Sequence, residues 1–417
     1  MRKLTVFLAV VVFYIHPQMC VQAEFLSGVA RVDVTPDPLL PVSGGIGPSA
    51  PAWQKKGELS VRALVLRNES TSIALVTSDF LGFPAALGNR VRQAIDSIPQ
   101  DNILISASHT HSAPDMYGFP DGAGGFNIDM QYADRVVKAM ISAIEKAESS
   151  CRESTIRVAH DRIAERIAFN YYAPELYDRR CGVIQTLDSG TGKPIATLVN
   201  YAVHPEVIGA DNGIVSADLV WPMTQSIEKS VGGMALFING AQGGMVTADV
   251  RHPKTGEHIQ TWEECVRIGE RLGSEALRIL EGAEAIANPS LVCQHKRVTF
   301  PVDSEGMRQI MKYSPLGYTK DGDTSKISTT INFLKIGPAM AVTIPGEALP
   351  NIGFYLKRKM PTDFPFLFGL TNDAFGYILT PEDFESFDRY DYVSRTSLGE
   401  KTAPILMEAV LQWIQNH

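Results

Sequence analysis

The sequence has little cysteine, little tryptophan and no extended Lys/Arg-rich run. Its 38 Lys and Arg are outnumbered by 46 Asp and Glu, for a net charge of -8 at pH 7. Binding to a polyanion needs concentrated positive charge, so nucleic acid is excluded as a partner. Long apolar runs are equally scarce. The stretch Leu4–Ile15 is shorter than the roughly 20 residues a bilayer span takes. Set between Arg2-Lys3 and the small residues Val21 and Ala23, it reads instead as a secretory signal peptide over residues 1–23, cut after Ala23. Lipid attachment at Cys20 would need small apolar residues where His16–Met19 stand. The expected product is exported, secreted or periplasmic, with no membrane anchor after cleavage.

Of the five cysteines, Cys151, Cys181, Cys265 and Cys293 follow the leader. An even set in an exported chain allows up to two disulfides, in three pairings. None of these cysteines is close to another in sequence, which excludes a thiolate zinc knuckle. Internal repeats and sharp composition changes are also absent, so residues 24–417 are expected to form one domain.

What is present is an ordinary globular composition, 45% hydrophobic and 20% charged. Apolar and β-branched runs predict strands at 61–66, 72–77, 102–106, 195–201, 235–238, 298–302, 330–336 and 339–344. Helical periodicity predicts helices at 86–97, 130–149, 219–230, 262–280, 350–359 and 402–415. The mixed order implies an α/β or α+β fold, layered sheets with packed helices. Gly- and Pro-rich stretches at 36–51 and 119–126 predict long surface loops, and loops of that length are often functional. Asn68-Glu-Ser70 is a glycosylation sequon, relevant only in a host that modifies it.

Chemistry is concentrated at predicted strand ends. The run Ile103–Ser108 leads directly into His109-Thr-His111, and in extended backbone residues two apart share a face. The spacing suits one zinc ligand and one histidine facing substrate, or equally a hydrogen-bonded pair at a strand end. A second apolar strand, Ile195–Tyr201, leads to His204-Pro-Glu206. Downstream, Asp218 fits either a carboxylate orienting a ligand or the N-cap of the helix at 219–230. Glu347 comes after Pro345-Gly346 at the end of a third strand, where a first-turn acid also serves a helix dipole.

Taken in order, several stretches resemble the neutral/alkaline ceramidases. They are Gly28–Pro36, Arg62-Ala-Leu-Val65, Thr77-Ser-Asp79, Ser108-His-Thr-His-Ser-Ala-Pro114, Asn200-Tyr-Ala-Val-His-Pro205, Pro345-Gly-Glu347 and Gly369–Tyr377. The resemblance implies a zinc ion held by His109, His204, Glu347 and Tyr377, and a zinc-activated water that attacks an amide carbonyl. It implies that His111 contacts substrate or assists proton transfer, and that Tyr390, in Arg389-Tyr390, lies near the scissile group. It also implies a lipid substrate of the N-acylsphingosine type.

The match fails in three places. Tyr171 stands where the family has a substrate-holding arginine, and is carried as a substrate contact. Gly240–Thr247 replaces a loop that carries a serine, and Val246 cannot supply its hydroxyl. Gln242, Thr247 and the N–H groups of Gly243 and Gly244 are the candidates for polar contacts there. The chain ends at His417, with no counterpart of the family's C-terminal β-sandwich. These departures leave two alternatives: an esterase, lactonase or deacylase acting on a sugar or other small polar molecule, and a binding protein that kept only the fold.

Overall fold

The computed structural model describes residues 24–252, 254–319 and 321–416. The signal-peptide and lipid-attachment readings fall on residues 1–23 and lie outside the described residues. Among the described residues, no helix is long and apolar enough to cross a membrane.

Alternation decides the layering. In Ser60–Arg67, Val61, Ala63 and Val65 enter one core while Leu64 and Leu66 enter another. That strand is β2 of the main sheet. The others on its path are β1 Leu26–Asp33, β3 Ser72–Ser78, β4 Ile103–Ala107, β5 Arg152–Arg162, β6 Arg180–Asp188, β7 Pro194–Tyr201 and β8 Met234–Asn239. Their spatial order is β8-β7-β6-β5-β1-β2-β3-β4, with the short strand Ile286–Ala287 added on β5. Helices α1 Ala85–Gln93, α2 Met130–Ser149, α3 Val220–Val231 and α4 Trp262–Leu280 share the core on one face.

The opposite face packs on a second sheet, whose strands β9 Leu291–Pro301, β10 Lys326–Ile336, β11 Ala339–Thr343 and β12 Pro365–Phe368 lie in sequence order. Ala339, Ala341, Phe366 and Phe368 point to the main sheet, while Met340, Val342 and Leu367 point outward. The outward set packs against α6 Pro350–Lys359 and α8 Thr402–Gln415. The short helices α5 Glu305–Tyr313 and α7 Asp391–Arg395 complete the fold. The expected mixed α/β architecture is therefore a four-layer α/β/β/α stack. Each fully buried Leu, Ile, Val or Phe in its cores stabilises it by about 1.5–3 kcal/mol.

One topology recurs without any repeat in sequence. Three successive antiparallel strands are followed by a helix and a strand parallel to the third: β1-β2-β3-α1-β4, β5-β6-β7-α3-β8 and β9-β10-β11-α6-β12. Each unit therefore ends in a parallel pair, and such strand ends form natural crevices.

The disulfide expectation is corrected. Cys151, Cys181, Cys265 and Cys293 are all free thiols. They lie after α2, in β6, in α4 and in β9, so the layers keep them apart. Cys265 instead bonds to Asp218 through its thiol.

A buried ion pair joins α6 to the main sheet. Lys357 Nζ lies 3.0 Å from Asp178 Oδ2, and both side chains are about 5% exposed or less. Burial pushes the Asp178 carboxyl up, but Lys357 and Arg180 outweigh it and hold it well below the usual range. This stabilisation is present at neutral pH and is lost only as pH falls through the depressed folded value. Asp178→Asn leaves the Lys357 charge buried without its partner and should cost about 3–5 kcal/mol, read as a lower denaturant midpoint.

Candidate metal centre

The three strongest metal-ligand candidates leave strand ends in three different units. His109 follows β4, His204 follows β7 and Glu347 follows β11. Beyond Ala107 the chain no longer runs as a strand. His109 has φ 73°, a left-handed conformation disfavoured by roughly 1–2 kcal/mol in a non-glycine residue. Two carbonyls hold it there: its N–H donates to Phe80 O (2.9 Å), and its Nδ1 meets Leu81 O (2.6 Å). His109 and His111 are therefore not strand neighbours on one face, as expected, although their rings meet edge-on at 4.8 Å. His204 is fixed in the same manner, with both its backbone N–H and its Nδ1 2.8 Å from Val246 O.

Those carbonyls only accept, so each Nδ1 carries a hydrogen, and in a neutral ring Nε2 then carries a lone pair. Both lone pairs face one oxygen. Glu347 Oε2 lies 3.2 Å from His109 Nε2 and 3.1 Å from His204 Nε2. Without a cation the group needs added protons. Burial lowers the His204 pKa, but the Glu347 hydrogen bond and the Glu206 charge raise it to about 9. Burial pushes the Glu347 carboxyl up, and His109 and His204 hold it far below its usual range.

The donor set fits a zinc ion. Tetrahedral zinc with bonds of about 2.0–2.1 Å sets its donors roughly 3.3 Å apart, close to the separations seen here. Donor atoms of His109, His111 and His204 all lie within 4.8 Å of one another. The buried Nε2 of His111 has no hydrogen-bond partner among the described residues. Burial pushes the His111 pKa down to about 4, partly offset by Glu206, so its ring is neutral at ordinary pH.

Tyr377 is brought beside Glu347 by a short parallel pairing, Glu347–Ala348 with Tyr377–Ile378. Its hydroxyl points to Met245 Sδ at 3.4 Å, and burial together with the Glu347 charge raises its pKa well above the ordinary value. The phenol thus keeps its proton unless a dication displaces it. His109, His111, Glu347 and Tyr377 share a pocket of about 50 Å³ with Gly44–Ile46, Tyr117, Phe119 and Tyr392. Gly44–Ile46 and Phe119 come from the two long loops.

The remaining candidates fall elsewhere. Tyr390 is buried against Tyr172 and Phe387, and Tyr392 takes the pocket wall. Gln242 is fully buried, and neither side-chain polar atom has a partner among the described residues. It lines neither this pocket nor the cavity beyond His111. The Gly243 N–H is spent on Ala348 O (2.9 Å), so it is closed to a ligand. A Cβ on Gly243 would lie 2.2 Å from Glu347 O, while Gly244, at φ 68°, packs on Leu349. These two glycines seat the Glu347 segment. Val246 instead supplies its carbonyl to His204, and Tyr171 is 55% exposed in a separate cavity. Asp218 serves the backbone. It accepts from the Ile208 N–H (2.8 Å) and the Leu219 N–H (2.7 Å), tying the loop after His204 to the start of α3.

Sequence reasoning missed Asn239. From the end of β8 its Nδ2 donates to Ser108 O (3.1 Å) and Val203 O (2.8 Å), the residues immediately before His109 and His204. Its Oδ1 accepts from the Val203 N–H at 3.1 Å. Glu206 and Tyr392 were likewise unassigned, although Glu206 stands directly after His204-Pro205.

No family profile matches the sequence. In fold the chain is similar to neutral ceramidase from Pseudomonas aeruginosa, with TM-score 0.74 and 14% identity over 94% of this chain and 75% of that one. It is also similar to a ceramidase complexed with C2, with TM-score 0.72 and 14% identity over 93% and 74% of the two chains. At this identity the likeness is one of fold, and it agrees with the layered α/β architecture.

Two substitutions test the support around the site. Asn239→Ala and Gly243→Ala should each weaken zinc retention by about 10–100-fold, the usual effect of disturbing groups that orient ligands. Competition with a chromophoric chelator measures this, and unchanged retention in both would show that neither residue positions the site.

Proposed function

We propose that this chain is a zinc-dependent hydrolase that cleaves an N-acyl amide bond, with His109, His204 and Glu347 as ligands and Tyr377 as the fourth donor. The observation that carries the reading is the convergence of two Nε2 lone pairs on Glu347 Oε2 at 3.1 and 3.2 Å. Zinc supplies positive charge that lowers the pKa of a water from 15.7 to about 7 and polarises a carbonyl oxygen. The fold similarity to ceramidases supports the reaction class.

The side chains divide the remaining work. Leu81 O and Val246 O hold the His109 and His204 rings with Nε2 inward. His111, neutral and with its Nε2 unpartnered, accepts a hydrogen bond from the attacking water and orients it. Tyr392, rather than Tyr390, lines the pocket, and its hydroxyl is the candidate to bond the substrate carbonyl or leaving nitrogen. The water oxygen bonds to the acyl carbon, the C–N bond breaks, and the leaving nitrogen takes up the proton.

Apolar side chains line part of the pocket and limit the water it holds. Leu81, Phe119, Met307 and Ala374 border the pocket, which strengthens each charge interaction inside it. An ester takes the same steps with oxygen as the leaving atom. A polar acyl substrate is favoured as the second reading by the cavity beyond His111.

Chain purified in zinc-containing buffer should carry about one zinc, the stoichiometry expected of a single site. His204→Ala should lose that zinc and drop hydrolysis of fluorogenic N-acyl amides to background while keeping the far-UV circular dichroism of the parent. A metal-free parent or an active His204→Ala chain overturns the proposal.

A further inference from the structure

His111 is a partition between two cavities. On its metal side lies the pocket of about 50 Å³, room for only a few waters at about 10–15 Å³ each. On its other side lies a cavity of about 370 Å³ that shares Gly44 and His111 with the first. This second volume falls in the range of about 300–1,000 Å³ usual for small-ligand sites. A substrate with its scissile bond at His109 and Glu347 must keep its bulk outside the small pocket, and the larger cavity begins at the next side chain.

The chemistry of that cavity is specific. Beside apolar stretches that include Val207, Met245 and Val250, its wall carries Glu206, Asp211, Thr247, Gln260, His258 and Tyr171, with no lysine or arginine among the described residues. Glu206 Oε2 lies 3.8 Å from His111 Nδ1, with its side chain 22% exposed, and Thr247 bonds to the same carboxylate. An anionic group would meet two carboxylates and no cation. An alkyl chain would strip water from Glu206 and Gln260 and return no hydrogen bond, a cost of about 1–3 kcal/mol for each polar group left unpaired. A group bearing several hydroxyls supplies the donors that these acceptors lack. Tyr171, 55% exposed and edge-on to His258 at 6.1 Å, adds a flat aromatic face to the same wall. Such a face packs against the C–H side of a pyranose ring.

We propose that the cavity beyond His111 is a subsite for a neutral, sugar-like half of the substrate, with Glu206 accepting its hydroxyls and Tyr171 stacking on its ring. This rests on the hydrolase reading only for what becomes of the bound molecule. The acyl half then lies toward the groove on the other flank of the pocket, where Ile46, Met307 and Tyr392 continue the wall.

The test has two arms on the whole zinc-loaded chain. Ligand-observed NMR titration with methyl β-glucopyranoside reads the subsite directly, and Glu206→Gln and Tyr171→Ala should each weaken it by about tenfold or more. The second arm compares kcat/KM for N-hexanoyl glucosamine and N-hexanoyl hexylamine. The parent should prefer the sugar amide by about tenfold or more, and either variant should erase most of that preference. Zinc content reports whether Glu206→Gln disturbs its neighbour His204, and Tyr171→Ala, remote from the ligands, decides the matter if it does. Absence of glycoside binding overturns the subsite. So does equal or better hydrolysis of the alkyl amide with no change in Tyr171→Ala, an outcome that leaves the hydrolase standing. Glycoside binding that depends on Tyr171, with neither amide cleaved, upholds the subsite and overturns the hydrolase.

Discussion

Two imidazole nitrogens and one carboxylate oxygen are held in contact with their acceptor sides facing one another, and the surrounding structure serves to keep them so. Left neutral, His109 Nε2 and His204 Nε2 would set lone pairs against Glu347 Oε2 at 3.2 and 3.1 Å in a buried setting. Protons relieve this in part, as the raised His204 pKa shows. A dication relieves it for all three donors at once. The rings cannot turn away, because Leu81 O and Val246 O each hold the opposite nitrogen.

Convergence of three strand ends from three units places tight steric demands on the backbone between them. Asn239 bridges the residues that precede the two histidines, and Asn200 reaches across to Leu367 O at 2.8 Å, joining the main sheet to the second. Gly243 and Gly376 let backbone come closer than any Cβ would allow, against Glu347 O and Thr396 O respectively. His109 tolerates a left-handed φ because its neighbours overdetermine its position. A site of this kind is paid for by its scaffold, and its supporting residues are as consequential as its ligands.

Much of the fold was legible in the pattern of the chain. The helices at 130–149, 262–280, 350–359 and 402–415 occur as periodicity predicts, and each predicted apolar strand occurs within a few residues of its expected ends except that at 298–302, which begins seven residues earlier, at Leu291. Of the sheet strands that escaped notice, β1, β5 and β6 mix charged residues or glycine with apolar ones, and β12 is only four residues long. β1 and β5 have partly exposed faces and so lack the continuous apolar run of a buried strand, whereas β6 is buried between its ends but its run is broken by Gly182, Gln185 and Thr186. Helix α5 escaped for a related reason, with only Ile310 and Met311 buried.

The chemical types at the site, two strand-end histidines and a glutamate after Pro-Gly, were set by the sequence alone, because local pattern marks where a strand stops and which side chains stand just past its end. Their meeting was not, since His109 and Glu347 are separated by most of the chain and only sheet stacking brings them to 3.2 Å. Tertiary structure also decided that Tyr392 rather than Tyr390 reaches the pocket, and that His111 divides a small space from a larger one bordered by Glu206, Asp211 and Gln260. Cavities are made by surfaces distant in sequence, so neither their volume nor their polarity is written in any one segment.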